Sequence, residues 1–342
     1  MSQAAVSRTI LLAAPRSFCA GVQRAIEVVE FALDEHGPPV YVRKQIVHNA
    51  HVVAELRLGG AVFVDELDDV PHGALVIFSA HGVSPEVREQ ATARQLRVID
   101  ATCPLVSKVH ARARRLERRG DTVVLIGHAG HEEIEGTMGH APHVIQLVEN
   151  VDDVDRVVAA DPSRVTYLTQ TTLSVADTTD IIQRLRARFP ELIDPRSSDI
   201  CYATTNRQDA VRAAAPGCDL FLIVGAPNSS NSKRLVEVAE KAGARMSMLV
   251  QRAEDIEWEQ IGDISVVGLS AGASAPEIIV DEIIDAFKAR FDVKIELAET
   301  TVETENFLVN REIRDVELTV KDMAFVNGEH RVVGISKLMQ GK

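Results

Sequence analysis

At 342 residues the chain is longer than one hydrophobic core usually supports, so two or three domains are expected. Hydrophobic residues make up 46% and charged residues 25%, and no apolar run approaches the ~20 residues of a membrane helix, which argues against a membrane-spanning protein. The 37 basic and 50 acidic residues leave a net charge of -13, unsuited to a general nucleic-acid binder, and four cysteines are too few for a disulfide framework. The apolar run before Pro15 is too short for a signal-peptide core, so a cytoplasmic protein is expected, with its cysteines serving metal binding or catalysis.

In chain order, an apolar run ending at Ala14 leads into Pro15-Arg16-Ser17-Phe18-Cys19. Val22, Ala25, Ile26, Val29 and Leu33 then recur at helical spacing and predict a helix over 22–33, stopped by Gly37-Pro38-Pro39. Strands are expected at 40–42, 61–64 and 74–78, with a helix between the first two. The loop after the first carries His48, and Ser79-Ala80-His81-Gly82 follows the third. Cys103-Pro104 opens a further helix, to about Arg119, and a strand over 122–126 leads to a polar loop with His131, Glu132 and Glu133. Strands at 144–148 and 165–168 follow, the latter ending in Thr169-Gln170-Thr171-Thr172 before a helix from about Asp177. Cys201 opens another helix, to about Ala215. A strand over 220–224 leads to Ser229, Ser230 and Asn231, then come a helix over 233–242 and strands at 246–250 and 264–269. A loop ending at Ser274 precedes a helix over 278–287. Beyond Phe291 the pattern lapses, and an extended, partly disordered arm is expected.

The spacing repeats. Cys19 to His48 is 29 residues, and Cys103 to His131 and Cys201 to Ser229 are 28 each. Such regularity predicts an α/β fold of three modules related by a pseudo-threefold axis, with mainly parallel sheets and the ligand site beyond the carboxyl ends of the strands. The expected boundaries are 20–103, 104–200 and 201–290, the last completed by an N-terminal strand within 8–19, with 291–342 as the tail.

Cys19, Cys103 and Cys201 then converge on one metal centre, either zinc with a histidine or an iron-sulfur cluster; spacing does not decide between them. A cubane on three thiolates would keep one iron open as a Lewis acid beside an electron store. Cys218 breaks the repeat and reads as core packing. His48, His81, His131, Ser229, Ser230, Asn231 and Ser274 form a donor set for an anion such as a diphosphate, and helices starting after several of these loops add their positive ends. Glu133 is a candidate proton relay with Glu132 beside it as the control, one of the pair being merely solvated and spacing not deciding which, and Thr171 and Thr172 are possible orienting hydroxyls or helix caps. The run Lys108, Arg112, Arg114, Arg115, Arg118 and Arg119 reads as a solvated face, with docking of an acidic electron donor as the functional alternative.

The stretches 15–22, 47–49, 79–83, 100–104, 127–137, 169–174, 201–207, 228–232 and 271–276 together resemble the 4-hydroxy-3-methylbut-2-enyl diphosphate reductase (IspH/LytB) family over roughly 10–287. Ser17 stands where that pattern has glycine. The resemblance implies an iron-sulfur oxidoreductase acting on an allylic diphosphate in the last step of the methylerythritol phosphate route to isoprenoids. It also implies one [4Fe-4S] cluster on Cys19, Cys103 and Cys201 with an open iron for the substrate hydroxyl. The diphosphate would lie on His48, His81, His131, Ser229, Ser230, Asn231 and Ser274, with Glu133 giving protons and Thr171 near the hydroxyl. Ferredoxin or flavodoxin would donate electrons to a monomer or homodimer, and one module would close over the substrate, hinged near the cysteines. A non-redox dehydratase or hydrolase and a non-enzymatic cluster sensor are the rivals; the anion-binding loops disfavour the sensor, and the all-thiolate ligand set disfavours the hydrolase.

Overall fold

A computed structural model describes residues 7–261 and 263–309. The strands are β1 (Ser7–Ala14), β2 (Val40–Arg43), β3 (Ala61–Val64), β4 (Leu75–Phe78), β5 (Arg97–Asp100), β6 (Thr122–Ile126), β7 (Ile145–Val148), β8 (Val165–Thr169), β9 (Leu220–Val224), β10 (Ser247–Val250), β11 (Val266–Ala271) and β12 (Asp292–Glu299). The helices are α1 (Ala20–His36), α2 (Ala50–Leu58), α3 (Pro85–Ala93), α4 (Pro104–Arg119), α5 (Glu132–Gly139), α6 (Val175–Arg188), α7 (Tyr202–Ala214), α8 (Ser230–Lys241) and α9 (Glu277–Lys288).

The strands sort into three separate sheets, ordered β3-β2-β4-β5, β7-β6-β8 and β10-β9-β11-β1-β12. Every pairing within them is parallel. Parallel strands covered on both faces are apolar throughout, as β4 and β9 are: all of their residues are buried. Two apolar clusters flank the first sheet, around Val29 and Ile77 and around Leu67 and Phe78. The third sheet likewise has one around Leu269 and Phe287 and another around Phe221 and Leu235.

Each cysteine of the repeat is the N-cap of a helix: Cys19 of α1, Cys103 of α4 and Cys201 of α7. Pro104 suits the first turn of α4, where its missing N-H has no intrahelical partner, and Gly120 ends that helix in the left-handed conformation at φ 72. Cys19 and Cys103 follow β1 and β5, but no strand precedes Cys201. A single parallel bridge, Thr166 to Ile193, stands there instead.

The tail begins differently from expectation. Residues Asp292–Glu299 pair with β1 along its whole length as an edge strand of the third sheet. Their weak alternation has a physical reason: an edge strand with one outward face need not be apolar. Residues up to 309 continue across α1 and α7, with Arg24 donating to the Leu308 carbonyl at 2.8 Å and Arg207 to Glu303 Oε1 at 2.8 Å. The expected disorder concerns a stretch that extends beyond the described residues. No helix among those residues is long and apolar enough to cross a membrane.

Of the basic run on α4, Lys108, Arg114, Arg115, Arg118 and Arg119 are exposed, as a solvated face should be, and only Arg112 is buried. Arg112 is bonded to Asp199 at 2.6 Å, Lys108 reaches Ser197, Arg119 pairs with Asp121, and Arg114 meets His140 Nδ1 at 3.0 Å.

Candidate active site

Loops after β1, β2, β4, β5, β6, β8, β9 and β11 meet at one cavity, placed where parallel sheets carry ligands, beyond the carboxyl ends of the strands. Cys19, Cys103, Cys201, His48, His81, His131, Glu133, Thr171, Ser229, Ser230, Asn231 and Ser274 all line it. It encloses about 690 Å³ of atom-free space, open mouth included.

On the cysteine side, all three are free thiols. A side chain at Gly21 would put its Cβ 2.7 Å from Cys103 Sγ and 3.9 Å from Cys19 Sγ, so the bare glycine keeps a cradle between them clear. Cys201 Sγ lies 3.2 Å from Thr204 Oγ1 and accepts the Thr204 backbone N-H at 3.4 Å. Burial, reinforced by Cys19, pushes Cys103 up to about 12, and burial raises Cys201 to about 11. Thiols packed this way ionise only when a cation shares the cradle, so the donor set fits a metal or an iron-sulfur group. Cys218 is 2% exposed in the core, its thiol donating to the Ala214 carbonyl at 3.1 Å, and takes no part in the cavity.

Three imidazoles form the opposite wall. His48 stacks on His81 with ring centroids 4.1 Å apart, and His131 meets both edge-on at 5.3 and 5.7 Å. Asn228 donates to His48 Nδ1 at 3.4 Å, and the Glu133 backbone N-H donates to His131 Nδ1 at 3.1 Å. Both rings therefore carry their proton on Nε2. Burial and the neighbouring imidazoles hold His48 down at about 2, and the same causes hold His131 at about 3, so both stay neutral.

The serine side is built by close backbone approach. Ser229 caps α8 by accepting from the Ser232 N-H, and Ser232, fully buried, donates its hydroxyl to Ser229 Oγ at 3.0 Å. A Cβ at Gly225 or Gly272 would overlap Ser232 Oγ, so both glycines are required there. Asn231 Oδ1 accepts from Ala273 N at 2.9 Å, and Ser274 Oγ donates to the His48 carbonyl at 3.0 Å. Two buried polar atoms of this wall, His48 Nε2 and Ser230 Oγ, have no hydrogen-bond partner. Buried donors are normally satisfied, so a pair without partners in a cavity marks where a ligand's acceptors belong.

Glu133 is 2% exposed and accepts from Thr171 N at 2.7 Å and Thr171 Oγ1 at 2.9 Å. Burial raises its pKa above the usual carboxyl range, although both bonds from Thr171 favour the carboxylate. Thr172 instead accepts from Gln170, and the cap of α6 is Ser174, so neither threonine caps a helix.

Sequence reasoning missed three things here. Neither carboxylate of the pair is merely solvated: Glu132 accepts from His81 Nδ1 at 3.0 Å, where only the fold could place it. Thr204 supports Cys201 from the third position of α7, and that spacing from a capping residue is a readable signal. Arg207, with no exposed surface, donates to the Ser17 carbonyl at 2.7 Å and so ties the turn before Cys19 to the helix after Cys201. Ser17 has φ 58, the left-handed region, which accounts for glycine being the expected residue there.

A family profile described as LytB protein matches residues 10–288. The 4-hydroxy-3-methylbut-2-enyl diphosphate reductase of Brucella abortus (strain S19) is 70% identical over 346 aligned residues, covering 100% of both chains. Its counterpart in Rhizobium etli (strain CIAT 652) is 63% identical over 94% of this chain and 97% of its own. Among solved structures, the E-1-hydroxy-2-methyl-but-2-enyl-4-diphosphate reductase of Plasmodium falciparum superposes with a TM-score of 0.86 at 36% identity, covering 91% of this chain and 98% of that one. A second, titled the terminal enzyme of the non-mevalonate pathway, gives 0.59 at 32%, covering 82% and 99%. The chain therefore belongs to the LytB family, the 4-hydroxy-3-methylbut-2-enyl diphosphate reductases.

Proposed function

We propose that this protein reduces 4-hydroxy-3-methylbut-2-enyl diphosphate to isopentenyl and dimethylallyl diphosphate, the last step of the non-mevalonate route to isoprenoids. One substrate, two electrons and two protons give one product and one water. The observation that carries the reading is a single cavity with three free thiols on one wall, unpartnered anion donors on another and a buried carboxyl between.

The architecture is read as three modules, 20–103, 104–200 and 201–290 with the N-terminal strand, around a pseudo-threefold axis. The helix that opens each module, α1, α4 or α7, is capped by a cysteine, and each module brings at least two strand-end loops to the cavity, which supports that reading. Cys19, Cys103 and Cys201 would hold one [4Fe-4S] cluster with one open iron. When bound, the cluster supplies single electrons and Lewis acidity toward the substrate hydroxyl. The remaining work falls to the chain. Nε2-H groups of His48 and His131, the hydroxyls of Ser229, Ser230 and Ser274, and the Asn231 amide bind the diphosphate, aided by the N-terminus of α8. Remote binding energy of this kind orients the reacting carbon. Glu133, whose pKa burial raises, delivers protons, and Thr171 fixes its carboxyl toward the cavity. Protonation at either end of an allyl intermediate accounts for two products. Ferredoxin or flavodoxin supplies the electrons, to a monomer or a homodimer.

Substitution separates the thiols. Cys19→Ser, Cys103→Ser and Cys201→Ser are each expected to lose iron and sulfide in anaerobically purified protein, while Cys218→Ser keeps wild-type content. Equal content in all four would overturn the ligand assignment.

A further inference from the structure

The three imidazoles of the cavity do not present the same nitrogen in the same state. His48 and His131 each accept a hydrogen bond at Nδ1, so as neutral rings they point Nε2-H into the cavity, ready for an anion. His81 is wired the other way: its Nδ1 faces the Glu132 carboxylate at 3.0 Å and Ser79 Oγ at 3.3 Å. A neutral His81 would keep its proton on Nδ1 and turn a lone pair on Nε2 toward the ligand, which repels an anion. Only the doubly protonated ring offers Nε2-H.

We infer that Glu132 is a positioning residue that makes His81 the one charged donor of the anion wall, its carboxylate holding Nδ1-H so that His81 binds the diphosphate as an imidazolium. This rests on the diphosphate reading given above. The geometry is tight: ligand-competent atoms of His48, His81 and Glu132 lie within 4.8 Å of one another. Glu132 is at the first turn of α5, its side chain only 19% exposed, and Ser79 Oγ reaches it at 3.5 Å. Burial works against its charge, but the bond to His81 and the positive charge of Lys44 nearby outweigh that and hold the carboxyl below its ordinary range. The titratable groups facing His81 are therefore His48 on the loop after β2, and His131, Glu132 and Glu133 at the start of α5, with Lys44 beyond Glu132. Of these, Glu132 alone both bonds to His81 and carries a counter-charge at neutral pH. One positive ring among two neutral ones strengthens anion binding without three like charges in contact.

Glu132→Gln tests this with little change of shape, since the amide oxygen still accepts Nδ1-H but brings no charge. With the cluster-loaded protein in EDTA, to remove any cation at these ligands, KM for the substrate is expected to rise about tenfold at pH 8, with kcat changed less than twofold. The difference between the two proteins should shrink as the pH is lowered, and Glu132→Asp should recover most of it. Calorimetric titration with inorganic diphosphate should give the same pH-dependent weakening. Identical KM and diphosphate affinity at every pH would overturn the inference, as would a fall in kcat alone. If wild type bound diphosphate in this Glu132-dependent way yet consumed no substrate, the reductase reading would fail and this assignment would stand.

Discussion

Two adjacent carboxylates do different work because one residue of helix turns them to different partners. Glu133 is enclosed and bonded twice to Thr171, whereas Glu132 faces His81. For Glu133 the raised folded-state pKa has a definite sign. The folded protein keeps a proton that the unfolded chain releases above about 4.5, so at neutral pH this group works against stability. Glu133→Gln should accordingly leave thermal stability unchanged or higher and preserve diphosphate binding, while kcat falls at least about a hundredfold, the range of a lost general acid. A Glu133→Gln protein with wild-type kcat would remove the carboxyl from the proton path. These residue roles were only partly legible. The His-Glu-Glu run announced acid-base chemistry, but which carboxylate is buried depends on β8 lying beside α5, a relation that spans 38 residues.

At the level of elements, the cavity depends on strand-end loops held by close approaches that tolerate no side chain. Ser232 is wedged against Gly225 and Gly272 and supports Ser229 from behind. Gly272→Ala should destabilise the fold by about 1–3 kcal/mol through overpacking and raise KM, and adding Ser232→Ala, which removes the hydroxyl in the way, should recover much of the stability. Chemical denaturation of the single and double variants measures both; additive losses would contradict the wedge. The segment after β12 forms a second such tie. The buried guanidinium of Arg207 is bonded to Glu303, Ser17 and Ala203, so Arg207→Met, which leaves those acceptors without a partner, should cost about 3–5 kcal/mol. Loosening the turn at Ser17 should also speed loss of iron from the Cys19 side. The sequence pattern predicted helices and central strands well, because apolar periodicity reports burial directly. It passed over β12, whose residues are mostly exposed, and over Arg207, which looks like any helix arginine until the tail is laid across it.

Across the whole molecule, loops after strands of all three parallel sheets line one cavity, and an interval of 28 or 29 residues from cysteine to lining loop recurs three times in the sequence. The exception at Cys201, which follows a lone bridge instead of a strand, left no mark on the interval because the spacing counts from the cysteine onward. Bringing loops together also buries imidazoles between elements. His110 on α4 packs behind Gly82, 4% exposed, and burial, with His140, Arg114 and Arg88 nearby, holds it down at about 3. Its unfolded value is near 6.5, so as pH falls below that the unfolded chain takes up a proton that the folded protein refuses, and stability declines. Between pH 7 and 5 the loss from this residue is about 2 kcal/mol, and His110→Gln should show a pH dependence shallower by that amount in urea titrations. The central claim is that the thiol wall and the anion wall act on one substrate. Its most direct test is anaerobic purification followed by reductive turnover of 4-hydroxy-3-methylbut-2-enyl diphosphate with an artificial electron donor. The substrate should be consumed to a mixture of isopentenyl and dimethylallyl diphosphate, with none formed by Cys103→Ser; a protein with its cluster intact that leaves the substrate untouched would contradict that claim.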